Sequence, residues 1–303
     1  MTFTGVYVPL ITPFDATGAV DLEALDALAR QVLAGGAAGL VALGTTGEPA
    51  ALSGAEQRAV VDVVARVCRD QDAALIVGAN SVEAVRALRD RPGVRAALSL
   101  VPPFLRPGEA GVVAYFEALA AASPVPVIVY HVPYRTGQPL SAATVRRLAA
   151  IPGVAGMKLA AGGIDAATVE LLADPPAGFA VLGGDDAFVS PLLALGAHGG
   201  ILASAHLATD RFVELVHAWQ AGDAVRARAV GHQLTGLALA LLAEPNPTVI
   251  KGVLHARGRI PTAAVRLPLL PAGSDSIRAA LDCPPAFGIS SSSGLVSRWR
   301  TPR

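Results

Sequence analysis

Lysine is nearly missing from this chain. Only two of its 24 basic residues are lysines, Lys158 and Lys251, and the others are arginines. An excess of charge of either sign is also missing. The formal net charge is +0 at pH 7, which removes the electrostatic footprint expected of a nucleic-acid or anionic-membrane binder. Cysteine is scarce: Cys68 and Cys283 suggest no disulfide framework, sit in no metal-ligand pattern and fit a reducing cytoplasm. Long hydrophobic runs are absent although 52% of residues are hydrophobic. Arg, Asp, Glu, Gly or Pro interrupts each run before it reaches bilayer-spanning length. Residues 1–13 lack a basic n-region and a cleavage pattern, so secretion is not expected.

What remains is 303 residues with only 16% charged, enough to bury one large core. Short apolar runs at 6–11, 40–43, 75–77, 96–101, 127–130, 154–157, 180–182 and 200–202 alternate with helical patterns. Those patterns begin at Asp21 and cover 53–68, 82–89, 108–121, 141–149, 165–172 and 187–195. Ser53 and Glu56 have the spacing of a capping box. Parallel strands covered on both faces read as continuous apolar runs, so the alternation predicts an α/β (β/α)8 TIM barrel. An open doubly wound sheet is the competing arrangement, but no Gly-rich fingerprint follows the first run. The expected organisation is a barrel over 1–207 and a C-terminal helical region over 208–285, with helices at 211–220, 223–242, 247–257 and 274–281. A Ser-rich, basic tail over 286–303 is expected to be disordered.

In this fold, reactive groups gather where strands end and βα loops begin. Lys158 ends the sixth run, Tyr130 ends the fifth with Arg135 just after it, GTTGE at 44–48 follows the second, and GGDD at 183–186 follows the seventh. All four fall on one rim. A desolvated lysine amine can lose its proton and attack a carbonyl carbon, which a guanidinium cannot do. Lys158 is therefore the candidate nucleophile, against the plainer reading of a lysine snorkelling from a strand end. Glycines flanking Thr45 and Thr46 let backbone N–H groups approach a carboxylate, or they simply form a turn ahead of a helix. Tyr130 can move a proton near Lys158, or pack in the core. Arg135 can take a second carboxylate in bidentate fashion, or sit solvated in its loop. Asp185 and Asp186 are expected to cap a helix, since no further metal-binding partner lies nearby in the sequence.

Several ordered motifs resemble the dihydrodipicolinate synthase / N-acetylneuraminate lyase family of pyruvate-dependent class I aldolases. They are GTTGE at 44–48, VGAN at 77–80, YHVPYRTG at 130–137, GMK at 156–158, GGDD at 183–186 and EPNP at 244–247. The resemblance implies that Lys158 forms the Schiff base, with Tyr130 and Thr45 catalytic in its proton relay. It further implies that Thr45 and Thr46 hold the pyruvate carboxylate, that Gly184 and Ile201 line the pyruvate pocket, and that Arg135 meets the carboxylate of aspartate semialdehyde. The implied protein is a cytoplasmic homotetramer, a dimer of dimers, acting in lysine biosynthesis with pyruvate and a small aldehyde. It needs no cofactor and no metal, and has neither nucleic-acid nor membrane partners.

Four departures from the synthase pattern stand out. Phe104 replaces a tyrosine whose hydroxyl, in the synthases, reaches the neighbouring subunit's relay. Leu159 stands where glutamate is frequent, and Tyr134 replaces a small residue beside the arginine. Gly54 and Pro103 occupy positions that bear hydrogen-bonding side chains in lysine-sensitive members. The alternatives are a related aldolase or dehydratase with another second substrate, or a catalytically weak 2-oxo acid binding protein.

Overall fold

The computed structural model describes residues 2–283. The expected tail over 286–303 lies outside the described residues. Eight parallel strands close in sequence order into a barrel: β1 (Gly5–Pro9), β2 (Gly39–Ala42), β3 (Ala74–Gly78), β4 (Val94–Leu100), β5 (Val127–His131), β6 (Val154–Leu159), β7 (Ala180–Gly183) and β8 (Gly199–Ile201). Each coincides with one of the apolar runs to within a few residues.

The helices follow the strands: α1 (Leu22–Ala34), α2 (Gly54–Asp70), α3 (Val82–Arg86), α4 (Gly108–Ala122), the turn-length α5 (Pro133–Thr136), α6 (Ala142–Ala149), α7 (Ala166–Ala173), α8 (Val189–Ala194) and α9 (Ala205–Gln220). Local chemistry sets their starts. Asp21 accepts from the Ala24 amide to open α1, and Ser53 with Glu56 forms the full capping box of α2. The expected helix at 211–220 is the main part of α9, which packs against β1 as the eighth barrel helix and is preceded, across a kink at the non-helical Ala208, by a short turn from Ala205. Its start was hidden because Ala205, His206, Leu207 and Ala208 are all buried, which erases amphipathic periodicity. Three more helices follow: α10 (Ala224–Leu241) and α11 (Thr248–Ala256) pack against α9, and α12 (Ser274–Leu281) packs on α10 and α11. Among the described residues no helix is long and apolar enough to cross a membrane.

Side-chain alternation divides the strand residues between two cores. Tyr7, Val41, Ile76, Leu98, Ile128, Leu182 and Ile201 fill the barrel interior. Their strand neighbours, such as Val8, Leu40, Leu75, Val129 and Val181, face the helices. On β6 the outward residues are Met157 and Leu159, so Lys158 has inward parity. On β5 the inward residues are Ile128 and Tyr130, continued by Val132 beyond the strand.

Candidate active site

Parallel pairing of β5 with β6 places Tyr130 directly opposite Lys158. Both are inward, both are buried at 6% and 5% exposure, and Lys158 Nζ lies 4.4 Å from the Tyr130 ring centroid. Among the described residues none accepts a hydrogen bond from that Nζ, which leaves the amine against an aromatic face. The other register neighbour of Lys158 is Leu182 on β7. The strand then runs into Gly184, whose lack of a side chain is used here. A Cβ on Gly184 would stand 2.8 Å from both Cγ and Cε of Lys158, so the glycine lets the chain lie along the lysine stem.

The GTTGE loop contributes a 3-10 turn over Thr45–Gly47. Thr45 is exposed on the rim, whereas Thr46 is only 2% exposed. Its hydroxyl accepts from Asn246 Nδ2 at 2.9 Å, which assigns the asparagine of EPNP a task. Ile201, at the end of β8, is fully buried in the barrel interior. In VGAN, Asn80 Oδ1 accepts the Leu100 amide at 2.8 Å, and its carbonyl accepts the Tyr115 hydroxyl at 2.7 Å. This joins the tops of β3 and β4.

Arg135 is exposed in the α5 turn, its Cζ 5.8 Å from the Tyr134 ring centroid. Phe104 is far more open, at 88% exposure, in a left-handed backbone conformation. Its amide donates to Thr136 O at 3.3 Å, which ties the β4 loop to the Arg135 turn. Lys158, Tyr130, Gly184 and Ile201 are thus gathered at the inner end of the barrel. Arg135 and Thr45 stand on its rim, and the Phe104 ring points away into solvent.

The helix-cap expectation for Asp185 and Asp186 does not hold, because no side-chain cap bond forms at the short helical turn they begin. Asp185 instead accepts from Gly162 N at 2.6 Å and from the Tyr134 hydroxyl at 3.2 Å. Asp186 is 3% exposed and accepts the Ser204 amide at 2.5 Å. Burial raises its pKa, while the Ser204 backbone amide and the charge of Lys158 pull the other way. A carboxylate within electrostatic reach of the amine was invisible in the sequence, where DD before a helical pattern reads as a cap. Ser204 Oγ, fully buried beside it, has no hydrogen-bond partner among the described residues.

The chain matches the model of the dihydrodipicolinate synthetase family over residues 2–282. It is 39% identical over 285 residues to the 4-hydroxy-tetrahydrodipicolinate synthase of Laribacter hongkongensis, covering 92% of this chain and 97% of that one. It is 35% identical over 276 residues to 4-hydroxy-tetrahydrodipicolinate synthase 2 of Clostridium acetobutylicum, covering 89% and 96%. Among solved structures it resembles the chloride-inhibited dihydrodipicolinate synthase of Acinetobacter baumannii complexed with pyruvate. The TM-score is 0.87 at 33% identity, covering 92% of this chain and 98% of that one.

Proposed function

The chain belongs to the dihydrodipicolinate synthetase family, and we propose that it is a 4-hydroxy-tetrahydrodipicolinate synthase, condensing pyruvate with aspartate semialdehyde through a Schiff base on Lys158. The observation that carries this reading is the pairing of Lys158 with Tyr130 across β5 and β6, the amine lying over the phenol ring.

The chemistry follows from that pairing. The unprotonated Nζ adds to C2 of pyruvate, giving a carbinolamine that expels water as the protonated imine forms. Tyr130, with Thr45 as its partner on the rim, supplies and removes the protons of these steps. Loss of a C3 proton leaves an enamine, whose C3 attacks the aldehyde carbon. The amine of the aspartate semialdehyde portion then attacks the imine carbon, and as the ring C–N bond forms the bond to Lys158 Nζ breaks, which releases the cyclic product and restores the lysine amine. Thr45 and Thr46 hold the pyruvate carboxylate, Gly184 and Ile201 shape the pocket around it, and Arg135 takes the carboxylate of the second substrate. The protein works in the cytoplasm as a homotetramer; for self-association, the support is the apolar Phe104 and Leu105 side chains, left 88% and 80% exposed on one chain.

Phe104 and Tyr134 favour a second reading within the same chemistry, in which the Lys158 enamine condenses with a different aldehyde. Treating the protein with pyruvate and borohydride tests the shared premise. One stable adduct is expected, on Lys158, and it disappears in Lys158→Arg. An adduct on Lys251, or one that survives the substitution, would sink the assignment.

A further inference from the structure

Tyr134 belongs to neither the barrel core nor the paired Lys158 and Tyr130. Its hydroxyl donates to Asp185 Oδ1 at 3.2 Å, and the other carboxylate oxygen accepts from Gly162 N at 2.6 Å. The loops that follow β5, β6 and β7 are thereby tied together by one phenol, one carboxylate and one backbone amide. Gly162 has φ +83, the left-handed region that favours glycine, and a Cβ there would just meet Tyr134 Cδ1, at 3.5 Å. The bridge sits over the active sector of the rim. Asp185 is the immediate neighbour of Gly184, which lies along the Lys158 stem, and Tyr134 is within electrostatic reach of Tyr130. The Arg135 guanidinium lies over the same ring, 5.8 Å from its centroid, at the distance of a cation–π contact.

We propose that the Tyr134–Asp185 bridge is the specificity gate for the second substrate. It bars the mouth above Lys158 so that a short aldehyde enters, and it seats Arg135 at the height of that substrate's carboxylate. Tyr134 is a positioning and specificity residue, taking no part in bond making. Tyr134 is 60% exposed, but partial desolvation and the Asp185 charge both raise its phenol pKa, so it remains a hydrogen-bond donor at neutral pH. The argument rests on the lyase reading above, and pyruvate trapping separates the two. A wild-type protein that forms no Lys158 adduct removes the lyase reading and the gate with it.

Given the adduct, two variants decide the matter, with aspartate semialdehyde and the longer 6-oxohexanoate as competing aldehydes. Tyr134→Gly removes the bar, and the ratio of kcat/KM for 6-oxohexanoate over aspartate semialdehyde should rise about tenfold or more, the scale of a pocket that gains room for methylenes. Tyr134→Phe keeps the ring and cuts the bond to Asp185. It should raise KM for aspartate semialdehyde roughly threefold to tenfold, with kcat little changed, as expected when a bound-state contact is lost. An unchanged selectivity ratio in Tyr134→Gly overturns the gate, as does loss of the pyruvate adduct in that variant, which would make Tyr134 a structural support. If Tyr134→Gly does not fold, the phenylalanine variant decides alone, and an unchanged KM overturns the proposal.

Discussion

Lys251 Nζ donates to Glu48 Oε1 at 2.6 Å, joining α11 to the GTTGE loop across 203 residues of chain. The ammonium is fully buried. It also donates to Ala264 O at 2.8 Å and lies 4.0 Å from the Phe14 ring centroid. The other Glu48 oxygen accepts the Arg266 amide at 2.9 Å. Burial pulls Lys251 down to about 8, against the opposing charge of Glu48, so the ammonium stays charged at neutral pH. The second lysine of the chain is therefore committed to a strut. Together with the bond from Asn246 to Thr46, that strut holds the GTTGE loop from behind.

Removing one partner of a buried ion pair leaves an uncompensated charge. Glu48→Ala should cost about 3–5 kcal/mol of unfolding free energy, read from the urea midpoint. Adding Lys251→Met should recover at least half of that loss. A single-variant cost below about 1 kcal/mol, the range of a surface pair, would contradict the strut.

Gly184→Ala probes the Lys158 stem. The new Cβ would stand 2.8 Å from Cγ and Cε, so the lysine must move. We expect overpacking to cost about 1–3 kcal/mol of stability, while displacement of the amine slows pyruvate adduct formation about a hundredfold. Stopped-flow trapping and thermal unfolding separate the two effects, and an unimpaired trapping rate would contradict the close packing.

Arg135→Ala tests which substrate carries the second carboxylate. Loss of a charge-assisted bidentate contact is worth about 1.5–3 kcal/mol. The value of kcat/KM for aspartate semialdehyde should then fall about tenfold to a hundredfold, with uncharged aldehydes affected much less. Equal losses for both classes would assign Arg135 to holding the loop after β5.

Acid should destabilise the fold well before its carboxylates are protonated. Burial lowers both His131 and His206 to about 4, against about 6.5 in an unfolded chain. His206 is fixed in the neutral form, with Nε2 accepting the Ile11 amide at 3.2 Å and Nδ1 facing Ala203 O at 2.7 Å. Between these pKa values the unfolded chain binds more protons. Stability that is complete above about pH 6.5 is therefore lost as pH falls toward 4, by roughly 1.4 kcal/mol per pH unit for each histidine. Asp186, whose pKa burial raises, binds its proton more readily in the folded state and opposes this trend. His131 Nδ1 has no partner among the described residues, so His131→Leu should fold and lower the slope by about 1.4 kcal/mol per pH unit in urea titrations between about pH 6.5 and 4. A slope unchanged from the parent would exclude His131 as a contributor.

The chain itself announces its barrel, because strands enclosed on both faces must be apolar throughout and their runs recur between amphipathic segments. It also announces Lys158, since a lysine closing such a run is conspicuous where arginine serves elsewhere. Motif order alone brought Tyr130, Arg135 and the GTTGE loop to the same rim. Tertiary structure decided whatever depends on partners distant in sequence. The register of β5 on β6 sets Tyr130 opposite Lys158, and strand parity alone does not specify which residue faces which. Asp185 and Asp186 look like a helix cap locally, yet their acceptors are satisfied by Gly162, Tyr134 and Ser204. Glu48 and Lys251 read as unrelated charges until closure of the barrel and docking of α11 exclude water between them. Periodicity records only which face of an element is buried, whereas hydrogen bonds and ion pairs depend on positions that exist once the chain has closed on itself.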